Sequence, residues 1–202
     1  MRTVIVLING EAQVGKSTLA RNTLAELDHL SSPFGTLNPV VYSLVEPLKQ
    51  FSKLFGQMLN PTVPFLTYEE FKRTTLIPDA DVTGRSVILE MGLMARRLHP
   101  DVLMYALADK MMSNQDRNIW IIENWGFPGE LDFFTKPIFY SRYSQIAVNA
   151  TVVTVHVDER ATRRYEHNEQ FDNDSRFCLR ASAQWLNPTP AQLAKEIYGF
   201  AA

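Results

Sequence analysis

The sequence predicts an α/β chain in which helices cover both faces of a parallel, doubly wound sheet. Three observations carry that expectation. Residues 3–8, 39–44, 118–124 and 151–157 are runs rich in Val, Ile and aromatic side chains, with a shorter run at 183–186; continuous apolar runs of this length suit strands buried on both faces. Between them apolar residues recur at helical spacing, so strands and helices alternate as parallel crossovers require. Finally, a glycine-bearing loop joins the first strand to the first helix, at the sheet end where such folds bind ligands.

That loop is Gly10-Glu11-Ala12-Gln13-Val14-Gly15-Lys16-Ser17-Thr18, and it matches the phosphate-binding pattern G-x-x-x-x-G-K-[ST] at every specified position. Glycines let successive backbone N–H groups turn inward as an anion nest, and the following helix adds the positive end of its dipole. In this pattern Lys16 supplies a mobile charge for the β- and γ-phosphates of ATP, and the Ser17 hydroxyl is placed to coordinate Mg²⁺. The alternative, a Gly/Lys turn between core elements, leaves the order of strand, loop and helix unexplained.

At 202 residues with 46% hydrophobic side chains, the chain suits one domain, residues 1–202, with a full core and no need of disulfides. The single Cys178 cannot form an internal bridge, which agrees with a reducing compartment. The glycine-loop strand begins almost at once and no apolar run is long enough to cross a bilayer, so neither a signal peptide nor a membrane partner is expected, and the expected location is the cytoplasm. A net charge of −2 and a pI near 6.1 do not advertise a nucleic-acid binder, although a local basic groove is compatible with them.

The remaining elements follow from local signals. Residues 31–35 form a loop, and a helix opens at Glu46-Pro47, where the missing N–H of proline costs nothing, and runs to about Phe55, with Gly56 expected to end it. Residues 60–64 read as a loop, Thr67 to Glu70 as a capping box, and 78–84 as a break. Helical spacing over 85–98 is followed by a helix from Pro100. Residues 125–148 read as helix and loop, 160–180 are charged throughout, and Thr189 caps a last helix through Ile197.

Other residues have both a functional and an ordinary reading. Glu123 ends a strand where a carboxylate can hold a Mg²⁺ water or take the proton of an attacking hydroxyl; the ordinary reading is an acid at a loop start. Lys49 and Arg85 stand near helix starts, where cations oppose the dipole, a cost that a facing phosphate or simple solvation would explain. Arg96 and Arg97 are adjacent on a helix and point apart, so at most one reaches a ligand. Arg160, Arg163 and Arg164 share helical faces that could cover a transferring phosphoryl group, but interleaved acids make a solvated helix the ordinary account. The four histidines lack metal-ligand spacing. Trp125, Phe127, Phe133, Phe134, Phe139, Tyr140 and Tyr143, with Lys136 and Arg142 between them, are either core rings or a surface on which a base stacks.

Taken together, four segments resemble the phage deoxynucleoside monophosphate kinases, within the wider group of P-loop nucleotide kinases that includes phage 5-hydroxymethyluracil DNA kinases. They are the glycine loop, the block Ser43-Leu44-Val45-Glu46-Pro47-Leu48-Lys49 to Leu54-Phe55-Gly56, the block Gly84-Arg85 through Gly92 and Arg96-Arg97 to His99-Pro100-Asp101, and Ile121-Ile122-Glu123. The resemblance implies a P-loop nucleotide-kinase fold with five parallel strands and a helical lid, here 158–180, and an acceptor-binding helical region, here 45–115. It further implies ATP with Mg²⁺ as donor and a deoxynucleotide, free or within DNA, as acceptor. Lys16 and Glu123 become the expected catalytic residues, Ser17 and Glu123 the expected Mg²⁺ ligands, and Lys49, Arg85, Arg96, Asn124 and Trp125 the expected acceptor contacts. Arg160, Arg163 and Arg164 become the expected lid residues.

Two departures from the family pattern bear on the acceptor. Where the family continues with Asp-x-Arg, this chain has Glu123-Asn124-Trp125, keeping an acid but exchanging a cation for an aromatic ring. Residues 168–177 also lack the family's His and Ser-Glu pair. An aromatic beside the acid suits an acceptor recognised by its base and attacking through an alcohol, which favours the hydroxymethyl group of 5-hydroxymethyluracil in phage DNA. The alternative is a free deoxynucleoside monophosphate. A P-loop ATPase or switch without a small acceptor is a third reading; the chain has no Asn-Lys-x-Asp guanine-specifying sequence.

Overall fold

The computed structural model describes residues 2–10, 14–31, 37–123, 128–157, 183–186 and 188–201. In chain order the elements are β1 (Thr3–Gly10), α1 (Lys16–Ser31), β2 (Pro39–Ser43), α2 (Glu46–Leu59), α3 (Tyr68–Arg73), β3 (Thr75–Ile77), β4 (Val82–Thr83), α4 (Gly84–Leu98) and α5 (Val102–Met112). They continue as β5 (Ile119–Glu123), α6 (Pro128–Asp132), α7 (Pro137–Arg142), α8 (Ser144–Ala147), β6 (Ala150–Val157), β7 (Ala183–Leu186) and α9 (Pro190–Ala201). The chain divides into two compact units, one made of Met1–Leu44 with Leu107–Ala202 and the other of Val45–Ala106.

The first unit is α/β. Its sheet runs β2-β5-β1-β6, with β7 paired on the outer side of β6, and every pairing in it is parallel. The central position of β1 explains its unbroken apolar run, because a strand with a neighbour on each side and cover on each face has no wet surface. Val4, Val6 and Ile8 share one face with Ile119, Ile121, Val153 and Val155, and Ala20 and Leu27 of α1 with Leu193, Ala194 and Ile197 of α9 complete that layer. The alternate residues Ile5, Leu7, Trp120 and Ile122 turn to the other face and are equally buried. Each such side chain contributes about 1.5–3 kcal/mol by leaving water.

The second unit is mainly helical and holds a small core of its own around Phe71, with Val63, Leu76 and Val87. Three expectations change here. First, α2 does not stop at Gly56 but continues to Leu59 and closes on Asn60, whose N–H donates to the Gly56 carbonyl at 2.9 Å. Gly56 is buried, and a Cβ there would lie 2.6 Å from the Phe71 ring; the glycine admits a neighbouring ring rather than ending a helix. Second, the break at 78–84 contains β4, which pairs antiparallel with β3 around a turn where Asp81 takes a left-handed φ of 51°. Strands of two and three residues are too short for period-two patterning to show. Third, the helix expected from Pro100 starts at Val102.

The caps behave as their spacing predicts. Thr67 and Glu70 satisfy each other's backbone N–H groups in a capping box at the start of α3. Thr189 caps α9 in the same reciprocal way with Gln192, and that helix extends to Ala201, four residues past Ile197. No helix among the described residues is long and apolar enough to cross a membrane.

Candidate functional site

The strand order places the glycine loop at a topological switch point. From β1 the chain crosses past β5 to β2, whereas from the neighbouring β6 it goes on to β7 at the opposite edge, so the connections leaving these adjacent strands head in opposite directions and open a crevice at their carboxyl ends. Gly10 is the last residue of β1 and the register partner of Val157, the last residue of β6. It has a φ of 142°, and a Cβ on it would run into the Val157 carbonyl oxygen. Both conformation and space therefore demand glycine. Gly15, with φ 98°, meets only the conformational demand.

Residues 11–13, expected to line the loop as Glu11, Ala12 and Gln13, lie outside the described residues, whereas Val14 and Gly15 lead directly into α1. Its first residue is Lys16, whose Nζ donates to the Gly10 carbonyl at 2.8 Å. The ammonium is thus folded back across the base of the loop. Ser17 is half-buried and Thr18 exposed in the same first turn, and the Leu19 N–H donates to the Gly15 carbonyl at 2.8 Å as the helix closes.

Asn9 was not singled out from the sequence, yet it is buried and its Oδ1 accepts the Gly10 N–H at 2.5 Å. That bond fixes the orientation of Gly10 and engages its N–H, so an anion nest here draws on the donors that follow. The signal was legible as an amide closing an otherwise apolar run.

Glu123 ends β5, half-buried, in register with Ile8 of β1 and Ser43 of β2. Register partners in parallel strands share a face, so Glu123 projects to the α1 side, two residues short of Gly10. Strand geometry makes that separation roughly 8 Å between Cα atoms, a span a carboxylate can bridge through a water or cation. Its own carbonyl accepts the Leu44 N–H at 3.1 Å. Asn124 and Trp125 beside it, and Arg160, Arg163 and Arg164, fall outside the described residues. No group of three or more His, Cys, Asp or Glu able to hold a metal occurs among the described residues; Mg²⁺ held by phosphates needs only one or two protein ligands.

In the second unit, Lys49 and Arg85 converge on Tyr68, the first residue of α3. Lys49 Nζ lies 4.9 Å from the Tyr68 ring centroid and 3.4 Å from Glu46, and Lys72 Nζ lies 5.0 Å from the same ring and 2.7 Å from Glu69. Burial pushes the Tyr68 hydroxyl up to about 12, the carboxylates of Glu69 and Glu46 add to the shift, and the Arg85 guanidinium opposes it. The Glu46 partner offsets the dipole cost of Lys49 without any phosphate. Arg85 lies within a reciprocal cap in which Thr83 and Ser86 bond each other's backbone N–H groups. Arg96 and Arg97 do point apart: Arg97 is exposed, whereas Arg96 folds onto its own helix and donates to the Gly92 carbonyl at 3.3 Å.

The aromatic segment resolves largely into core. Phe133, Phe134, Phe139 and Tyr143 are buried against one another, with centroids 5.2 Å apart for Phe134 and Phe139 and 5.5 Å for Phe133 and Phe139. The Tyr143 hydroxyl donates to Asp109 at 2.9 Å. A base-stacking surface cannot include these four rings; Tyr140 is exposed, while Trp125 and Phe127 lie outside the described residues.

Comparison with protein-family models, with curated proteins and with solved structures gave no match to this chain.

Proposed function

We propose that the protein is an ATP-dependent kinase that acts on a pyrimidine deoxynucleotide. The observation that carries this reading is the carboxyl end of β1, where Gly10 tolerates no side chain and Lys16 reaches back to the Gly10 carbonyl at 2.8 Å. An obligatory glycine followed by a lysine poised over the loop suits a polyphosphate, because backbone donors approach closely and the ammonium moves onto the anion. The strand order supports it too: a dinucleotide-binding sheet sets its second strand beside its first, whereas here β5 separates β1 from β2.

The residues fit ATP and Mg²⁺. Residues 10–18 would hold the phosphates, and Ser17 and Glu123 would hold the cation directly or through water. When bound, ATP supplies the transferable phosphoryl group and Mg²⁺ neutralises its charge. The chain contributes Lys16 to steady the charge on the transferring group, and Glu123 to orient the acceptor hydroxyl and take its proton.

For the acceptor, the hydroxymethyl group of 5-hydroxymethyluracil in DNA is the leading reading, resting on Trp125 beside Glu123. A free deoxynucleoside monophosphate is the second, favoured by the gathering of Lys49, Lys72 and Arg85 around Tyr68, which offers cations to a phosphate monoester. Labelled ATP offered in parallel with free deoxynucleoside monophosphates, ordinary DNA and hydroxymethyluracil DNA tests all of this. Label in the modified DNA alone, falling steeply with salt as backbone contacts release counterions, is the expected result. Label in a free monophosphate alone selects the second reading, and slow hydrolysis indifferent to every acceptor defeats the kinase reading.

A further inference from the structure

The outer face of α2 has an organisation that the proposed phosphotransfer does not use. Leu48, Ser52 and Gly56 form its buried strip, at four-residue spacing, in the core of the second unit. A second apolar strip lies beside it at Phe51, Leu54, Phe55 and Met58, the i, i+3, i+4, i+7 spacing of a helix that packs on another helix. These side chains are 55, 64, 38 and 81% exposed, and Leu59 at the edge is 37% exposed. With side-chain areas of roughly 200 Å², they present about 500 Å² of apolar surface, the upper range for one patch on a monomer.

We infer that this strip is a homodimer contact, in which α2 of one copy packs antiparallel on α2 of a second copy about a two-fold axis passing between Leu54 and Phe55. Three features select a second copy as the occupant. The strip is self-complementary: a two-fold at that point sets Phe51 against Met58 of the other copy and Leu54 against Phe55, so every pair joins an aromatic to an aliphatic or thioether side chain. The area is adequate, since two strips together bury about 1,000 Å² before any flanking residue is counted, the size a specific interface needs. The strip also carries no charge of its own. Gln50 and Gln57 border it, and the one cation between them, Lys53, donates to the Leu66 carbonyl. A nucleic acid or anionic bilayer would call for lysines or arginines around the patch, and an acidic or basic partner for the opposite charge.

Sedimentation velocity of the full chain, without nucleotide, over about two decades of concentration tests the inference independently of any kinase activity. A reversible monomer–dimer equilibrium is expected, with Leu54→Glu plus Met58→Glu weakening it on the order of a hundredfold or more while far-ultraviolet circular dichroism is unchanged. Should that variant lose helix signal, Leu54→Gln plus Met58→Gln takes its place. In a Cys178→Ser background, Phe51→Cys mixed with Met58→Cys should form a mixed disulfide dimer faster than either variant forms one with itself. A wild-type chain that stays monomeric overturns the inference, as does a dimer indifferent to both double variants. Preferred Phe51→Cys self-bridging refutes the antiparallel register, and a monomer that sediments with anionic vesicles reassigns the strip to a membrane surface.

Discussion

The two compact units treat apolar surface in opposite ways. In the first, β1 is covered on both sides and both faces, and residues that alternate along it are buried alike. In the second, a small core around Phe71 suffices, and most of the large hydrophobic side chains left exposed among the described residues belong to it, from Phe51, Leu54 and Met58 to Phe65 and Leu98. A parallel sheet cannot fold half-covered, because its backbone ladder needs dry layers above and below; a cluster of short helices closes on one shared side and leaves the opposite sides for other uses. Rigid chemistry is therefore expected from the first unit and surface recognition from the second.

The strongest way to break this comparison is to remove the same amount of side chain from each unit. Ile121→Ala, in the buried layer of β5, should lower unfolding stability by about 2–5 kcal/mol, the cost of a cavity plus lost burial. Leu54→Ala, already mostly in water, should cost less than about 0.5 kcal/mol at dilute protein. Chemical denaturation of both variants decides it, and similar losses would erase the distinction between the units.

Next in size is Lys16→Ala, which tests whether the first unit's rigidity serves chemistry. Under the proposed kinase activity, losing this cation from the transferring phosphate should slow phosphoryl transfer about a hundredfold or more, with the melting transition nearly unchanged, because water can satisfy the Gly10 carbonyl that accepts from Lys16. Near-normal turnover would separate the glycine loop from catalysis.

Gly56→Ala probes the second unit where it is tight. The added methyl meets the Phe71 ring at 2.6 Å, so a loss of about 1–3 kcal/mol is expected from overpacking. Were the space beside Gly56 open instead, alanine in the interior of α2 would be neutral or stabilising. Thermal melts of Gly56→Ala alone and with Phe71→Leu separate these accounts, since the smaller partner should relieve the clash.

The smallest effect concerns Glu70. Hydrogen bonds from Thr67 hold its carboxyl below the ordinary value of 4.5, so the charged form is favoured by folding. Its contribution is present above the unfolded value and is lost as pH falls through the lower folded value. Glu70→Gln keeps the capping geometry and removes the charge, so its melting temperature should trail the wild type near neutrality and converge with it in acid. A constant gap across pH would assign the effect to geometry alone.

What could be read from the sequence was whatever is encoded between near neighbours. Residues 3–8 declared a doubly buried strand because the five consecutive apolar side chains from Val4 to Ile8 leave no wet face, the turn after it was marked by Gly10 and Gly15, and Thr67 and Thr189 declared caps because partner and cap are three residues apart. Residues 125–148 read only as helix and loop, and not legible there was that Phe133, Phe134, Phe139 and Tyr143 turn inward, since an aromatic ring fits a core or a surface equally well. Tertiary structure alone decided the order β2-β5-β1-β6-β7, which depends on pairing between segments more than a hundred residues apart, such as Thr3 with Ala150. It also decided that Gly56 makes room for Phe71, that Lys49 meets Tyr68, and that one strip of α2 turns inward while its neighbour faces water. Local patterns specify which side chains a helix or strand can present; only packing against distant chain decides which of them find a partner.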